Sequence, residues 1–160
     1  MSLANPDAAR LKLVPLTVED QEALLEAVTP AERAQVSPDW LARLRSGSPD
    51  PWTLGFAFVD RATNTVVGRG GFKGPPDEQA AVEIAYVVEP ARRGKGYATE
   101  GARALADYAF ASGKVRVVRA HTLPEPNASA RVLAKAGFQR VADVIDPEDG
   151  QVWRFEMTTA

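Results

Sequence analysis

The chain has no cysteine and one histidine, His121, among 160 residues. Without cysteine there is no disulfide, no thiolate nucleophile and no cysteine-bound metal, and one histidine argues against a clustered zinc or di-iron site, so no metal is expected. No apolar run approaches the roughly 18 residues that span a bilayer, which excludes a membrane helix. The start, MSLANPDAARLK, lacks the basic and apolar regions of a secretory signal, so a cytoplasmic location is expected. There is no excess of positive charge either: the formal net charge is −2, which argues against nucleic acid as a partner. A GxSxG nucleophile elbow is missing, as are internal repeats and low-complexity tracts.

What remains has the composition of one ordinary domain, expected over residues 1–160. LKLVPLT (11–17) reads as a first strand. Thr17 with Asp20 forms a capping-box start for a helix to about Val28. Thr29-Pro30 and Ser37-Pro38 each place a capping hydroxyl before a proline and open two shorter helices, which Gly47 and the SPDP run close. Three strands follow, WTLGFAFVD (52–60), TVVGRGGFK (65–73) and AVEIAYVV (81–88), joined by short turns as a meander. A helix begins at GYATEG, with Ala98, Ala102, Leu105 and Ala109 along one face and Gly113 as its stop. VRVVRAHT (115–122) is the next strand. The helix in PNASARVLAKAGF can be capped by Asn127 and ended by Gly137, with Phe138 folding back on Leu133. FQRVADVI and QVWRFEMT make a closing hairpin.

One turn stands out. ARRGKGYATEG gathers Arg92, Arg93 and Lys95 around two glycines between a strand and a helix. Free amides and the positive end of a helix dipole converge there, which suits an anion, and a diphosphate better than a carboxylate. The bland alternative is a solvated basic loop. A Walker loop is excluded, because no lysine followed by serine or threonine ends it. A dinucleotide fingerprint fails too: Thr99 holds the third glycine position and no βαβ unit surrounds it.

The run Arg93-Gly94-Lys95-Gly96-Tyr97-Ala98 resembles the coenzyme A loop of the GNAT superfamily of N-acetyltransferases. AVEIAYVVEP resembles that family's fourth strand, PEPNASARVLAKAGF resembles the helix after its fifth, and the order of elements matches throughout. The phrases GYATEG and NAS..VL.K.GF look most like the ribosomal-protein N-terminal alanine or serine acetyltransferase type. The resemblance implies an α/β (α+β) fold with a mixed, mostly antiparallel seven-stranded sheet flanked by helices and splayed between strands four and five.

It also implies acetyl-CoA as cosubstrate, with its pyrophosphate on the amides of Arg93, Gly94, Lys95, Gly96, Tyr97 and Ala98. The pantetheine arm would lie along Val87, Val88 and Glu89, and an amide near Val88 would polarise the thioester carbonyl. Asn127 and Ser129 are further cofactor candidates, with helix capping as the plain alternative for Asn127. The acceptor is an amine, on a small molecule or a protein N-terminus, and it must be neutral to attack although a free alkyl amine has a pKa near ~10.4. Glu83, on one face with Ala85 and Val87, resembles the catalytic glutamate of histone-type members and is the first candidate base. A strand carboxylate paired with a neighbouring cation is its structural alternative. His121 is the second candidate, with an ordinary pKa near ~6.5. Many members carry a tyrosine acid where this chain has Leu133.

Trp40, Trp52 and Trp153 are expected in the core or cleft wall, Trp40 alone within reach of an acceptor. Asp146, Glu148 and Asp149 in the closing hairpin can attract a cation or simply face water. A homodimer is left open. The rival to an enzyme is a catalytically silent coenzyme A-binding or protein-interaction module of the same fold.

Overall fold

A computed structural model describes residues 10–47, 49–147 and 150–159. The element order is β1 (Leu11–Pro15), α1 (Val18–Ala27), α2 (Pro30–Ala34), α3 (Pro38–Leu44), α4 (Pro51–Leu54), β2 (Phe56–Asp60), β3 (Thr65–Phe72), β4 (Ala81–Val88), α5 (Tyr97–Ala111), β5 (Val117–Thr122), α6 (Ala128–Ala136), β6 (Gln139–Asp146) and β7 (Gly150–Thr158). The strands form one seven-stranded sheet in the order β1-β2-β3-β4-β5-β7-β6. Every pairing is antiparallel except β4 with β5.

The early helices start where side-chain caps meet the free amides of a first turn. Thr17 and Thr29 form reciprocal capping boxes with Asp20 and Glu32, and Ser37 accepts from the Trp40 amide. The same logic corrects the start of the second strand. Asp50 accepts from the Thr53 amide, Pro51 fills the first helical position, and Trp52–Leu54 coil into α4; Gly55, at φ 70°, releases the chain into β2. The fifth strand likewise begins at Val117 rather than Val115.

Helix α5 buries Ala102, Leu105, Ala106 and Ala109 against the sheet, where Phe58, Val67 and Val118 are fully enclosed. The small face of the helix lets its axis approach closely. A methyl at Gly101 would lie 2.4 Å from the Phe58 ring. Helix α6 ends as the spacing predicts: the Phe138 amide donates to the Leu133 carbonyl at 2.9 Å and the Gly137 amide to Ala134 at 3.2 Å, and Leu133 and Phe138 are both buried.

The parallel contact of β4 with β5 spans only Ala81/Val117, Val82/Val118 and Glu83/Arg119, after which the strands diverge. On its other side β4 stays paired with β3 to Val88. The Lys73 amide donates to Glu83 and the Glu89 amide to Val67, so Arg69 and Val87 also form a hydrogen-bonded pair in this register. The backbone groups of Tyr86 and Val88 therefore point into the gap.

Candidate active site

Three cavities meet along β4. A cleft of about 580 Å³ runs from Tyr86–Val88 past Arg92, Arg93, Gly94 and Gly96 to the start of α5 and the exposed side of α6. A second, of about 290 Å³, lies on the opposite side of Val87 beneath α1, α3 and α4. A third, of about 180 Å³, occupies the splay between β4 and β5 and contains Glu83 and His121. Tyr86 borders all three.

At the large cleft, a 3-10 turn over Pro90–Arg92 leads into Gly94 and Gly96, with φ of 79° and 85°. Glycine takes this left-handed conformation without the penalty a side chain would incur, so successive amides can face one ligand. No side chain caps α5 at Gly96, leaving its first amides free for an anion. Arg92 and Arg93 border the cleft. The side chain of Lys95 does not border it. Its carbonyl accepts from Arg10 Nη2 at 2.7 Å.

The loop is braced from behind. Arg10 binds Glu100 through its backbone and guanidinium, and its guanidinium carbon lies 4.5 Å from the centre of the Tyr97 ring. Tyr97 is buried, and its hydroxyl donates to Asp60 Oδ2 at 2.7 Å. Tyr97 can thus offer a ligand only its backbone. That bond, with those from the Ala62 and Thr63 amides, holds the Asp60 carboxyl below its ordinary pKa, and Asp60 in turn raises that of Tyr97.

Ser129 borders both the large cleft and the splay. Asn127 does not border either; its Oδ1 accepts from the Ala130 amide at 2.9 Å and caps α6. Val87 contributes to the cleft wall, but its backbone is consumed by Arg69, and the Glu89 amide goes to Val67. The backbone available beside the cleft is that of Tyr86 and the amide of Val88, whose carbonyl accepts from Arg93 Nε at 3.4 Å. Arg131 and Lys135 of α6 also border the cleft; their i, i+4 spacing on an amphipathic helix was the signal available for them in the sequence.

In the splay, Glu83 Oε2 lies 3.0 Å from Lys73 Nζ and 2.8 Å from His121 Nδ1. Burial pushes the Glu83 carboxyl up, but the His121 imidazole and the Lys73 ammonium outweigh it and hold the group below its ordinary pKa. Glu83 is therefore ionised at neutral pH. Arg154 Nε donates to His121 Nε2 at 3.1 Å. An accepting Nε2 leaves the proton of a neutral imidazole on buried Nδ1, which lies 2.8 Å from the Glu83 carboxylate without the alignment of a full hydrogen bond. The chain Arg154–His121–Glu83–Lys73 thus combines both candidate bases and the paired-carboxylate alternative in one network.

Leu133 is fully buried, and burial pushes the Tyr86 phenol up to about 12. Period-two alternation places Tyr86 on the core face with Ile84 and Val88, which hid it from the sequence reading. Trp52 is in the core, with its ring centre 4.8 Å from that of Phe72, and Trp153 lies under the Arg140 guanidinium. Trp40 borders the second cavity, its indole N–H donating to the Thr53 carbonyl at 2.9 Å. Glu148 and Asp149 lie outside the described residues. Among the described residues there is no cluster of three or more metal-ligating side chains, and no helix is long and apolar enough to cross a membrane.

The profile of the acetyltransferase (GNAT) domain matches residues 10–139. An uncharacterized N-acetyltransferase, p20, from Bacillus licheniformis is 26% identical over 142 residues, covering 82% of this chain and 80% of the relative. Among solved structures, a chimera of the spermidine N-acetyltransferase SpeG from Vibrio cholerae with hSSAT superposes with a TM-score of 0.71 at 17% identity, covering 94% of this chain and 96% of the other. The aminoglycoside acetyltransferase AAC(6')-Ib, solved with ribostamycin and coenzyme A, gives a TM-score of 0.65 at 18% identity, covering 92% and 93%.

Proposed function

Because the chain belongs to the GNAT acetyltransferase family and is an acetyl-CoA-dependent acyltransferase, we propose that it transfers the acetyl group directly to a primary amine within a ternary complex. The observation that carries this reading is the convergence of three cavities on Ala85–Val88, with a glycine-rich anion cradle at one end and an ionised Glu83 nearby. Positive-φ glycines, the uncapped start of α5 and bordering Arg92, Arg93, Arg131 and Lys135 fit a pyrophosphate. The gap-facing backbone of Tyr86 and the Val88 amide fit an extended pantetheine arm. Acetyl-CoA supplies the activated thioester.

The amine nitrogen forms its bond to the acetyl carbon as the C–S bond breaks and the electron pair leaves with sulfur. Glu83 receives the proton that the amine gives up, through a water, and the thiolate takes one from solvent. His121 holds the Glu83 carboxylate in place, since Arg154 occupies the nitrogen it would need to act as a base itself. The Val88 amide faces the gap and can donate to the thioester oxygen. Tyr86 remains a neutral hydrogen-bond donor at physiological pH. Holding the two reactants together is itself worth up to roughly 7–11 kcal/mol.

Two acceptor classes fit this scheme. The likeness to the ribosomal-protein N-terminal type favours a protein N-terminus, whereas the spermidine and aminoglycoside enzymes of the same fold favour a small amine. The protein works as a single domain over residues 1–160 in the cytoplasm, alone or as a homodimer. The test is a thermal-shift comparison of acetyl-CoA with ADP, followed by release of the coenzyme A thiol across a panel of amines and N-terminal peptides. Stabilisation by acetyl-CoA well beyond that by ADP, with amine-dependent thiol release, is expected. Binding without turnover on any amine would leave the silent-module reading in its place.

A further inference from the structure

The second cavity differs in charge from what a polyamine site requires. Its walls are largely apolar, with Leu16, Trp40, Leu54 and Phe72 prominent, and no aspartate or glutamate borders it among the described residues. Its one formally charged side chain is Arg69. Arg69 is exposed on β3, directly opposite Val87 across the strand pair, and its guanidinium makes no hydrogen bond or ion pair with any described residue. Two of its other polar side chains are already engaged, Gln21 donating to the Leu54 carbonyl and the Trp40 indole to that of Thr53, and the Thr53 and Tyr86 hydroxyls on its wall carry no charge. The cavity continues past Arg69 into a smaller one beneath α1 and α2, which Glu32 borders. That carboxylate is bonded to the Thr29 amide at 2.9 Å as a helix cap.

An unpartnered guanidinium beside an apolar wall repels a second ammonium and attracts a carboxylate, which it can bind through two parallel N–H bonds. The volume of about 290 Å³ is at the small end for ligand sites, which suits a compact molecule. Resting on the acetyltransferase reading above, we propose that the acceptor is a small amine bearing a carboxylate and an apolar side group, in the manner of an apolar α-amino acid, and that Arg69 selects it. Such a molecule can place its carboxylate on Arg69 and its side group against Trp40 and Phe72, leaving its amine toward the backbone gap. Polycationic amines find no counter-charge in this cavity. A peptide N-terminus, whose first carbonyl is an amide, offers Arg69 no anion.

The test measures kcat/KM from thiol release with leucine, leucinamide and spermidine, for the wild type, Arg69→Gln and Arg69→Glu. Comparing each variant with the wild type on the same acceptor cancels the differing basicity of the amines. Arg69→Gln is expected to lower kcat/KM on leucine by about 10- to 100-fold, the range of a charged hydrogen bond, and by much less on leucinamide. Arg69→Glu should reverse the preference toward spermidine. Because Arg69 is exposed, folding is checked by the acetyl-CoA thermal shift of each variant. Equal losses on leucine and leucinamide, or spermidine as the best wild-type acceptor, would overturn the selection by Arg69 while leaving acetyl transfer intact. No thiol release with any amine and no acetyl-CoA shift would overturn both.

Discussion

Glu83→Gln separates chemistry from architecture. The substitution keeps the volume and one oxygen facing His121 Nδ1, and it places an amide N–H₂ against the Lys73 ammonium. Lys73 is 46% exposed on its side chain and can turn to water, so the lost ion pair costs less than about 1 kcal/mol of stability. A positioned base, by contrast, typically supplies at least ~100-fold in rate, or ~2.7 kcal/mol of barrier. Turnover should therefore fall by at least about 100-fold while the melting temperature and the acetyl-CoA KM barely move. Steady-state thiol release with the preferred acceptor, beside thermal denaturation, makes the comparison. The pH dependence adds a check. Glu83 titrates below the ordinary carboxylate range, so any limb of the wild-type profile near neutrality belongs to another group and should persist in the variant. A variant turning over within about threefold of wild type would refute the assignment of Glu83 as base.

Two further outcomes follow from the glycine turn before α5 and the side chains that brace it. Gly96→Ala puts a side chain at φ 85°, with its Cβ 3.1 Å from Arg10 Nη2; stability should drop by about 1–2 kcal/mol in thermal melts, and acetyl-CoA KM should rise more than kcat falls. Tyr97→Phe removes the donor to Asp60 and should lower the melting temperature at neutral pH. Because the folded pKa of Asp60 is depressed, the stability linked to its ionised form is complete above the unfolded value near ~3.9 and is lost as pH falls through the lower folded one. The difference between wild type and variant should accordingly shrink in acid, and a constant gap would exclude the Asp60 bond as its source.

The parts of this molecule governed by local rules were readable in its letters. The capping boxes at Thr17 and Thr29, the Leu133–Phe138 closure and the glycine turn before α5 each depend on neighbours within a few residues. Asp50-Pro51 obeys the same rule, yet the apolar run after it read as strand, because short apolar stretches look alike in helix and sheet. What escaped depends on distant partners. Arg10 reaches Glu100 and Lys95, and His121 meets both Glu83 and Arg154, only after the sheet has ordered its strands. The place of Tyr86 at the meeting of three cavities comes from the divergence of β5, which alternation along β4 cannot encode.

The three-residue contact between β4 and β5 also divides the sheet dynamically. β1–β4 and β5–β7 are each held by long antiparallel ladders, but joined through the sheet only at Ala81–Glu83. Beyond that point Tyr86 and Val88 have the status of an edge strand in the middle of a sheet, their amides without a strand partner. Hydrogen exchange should be fast there and slow at Val87, one residue away. A ligand lying in the gap would complete the ladder, closing the seam and making two half-sheets unfold as one.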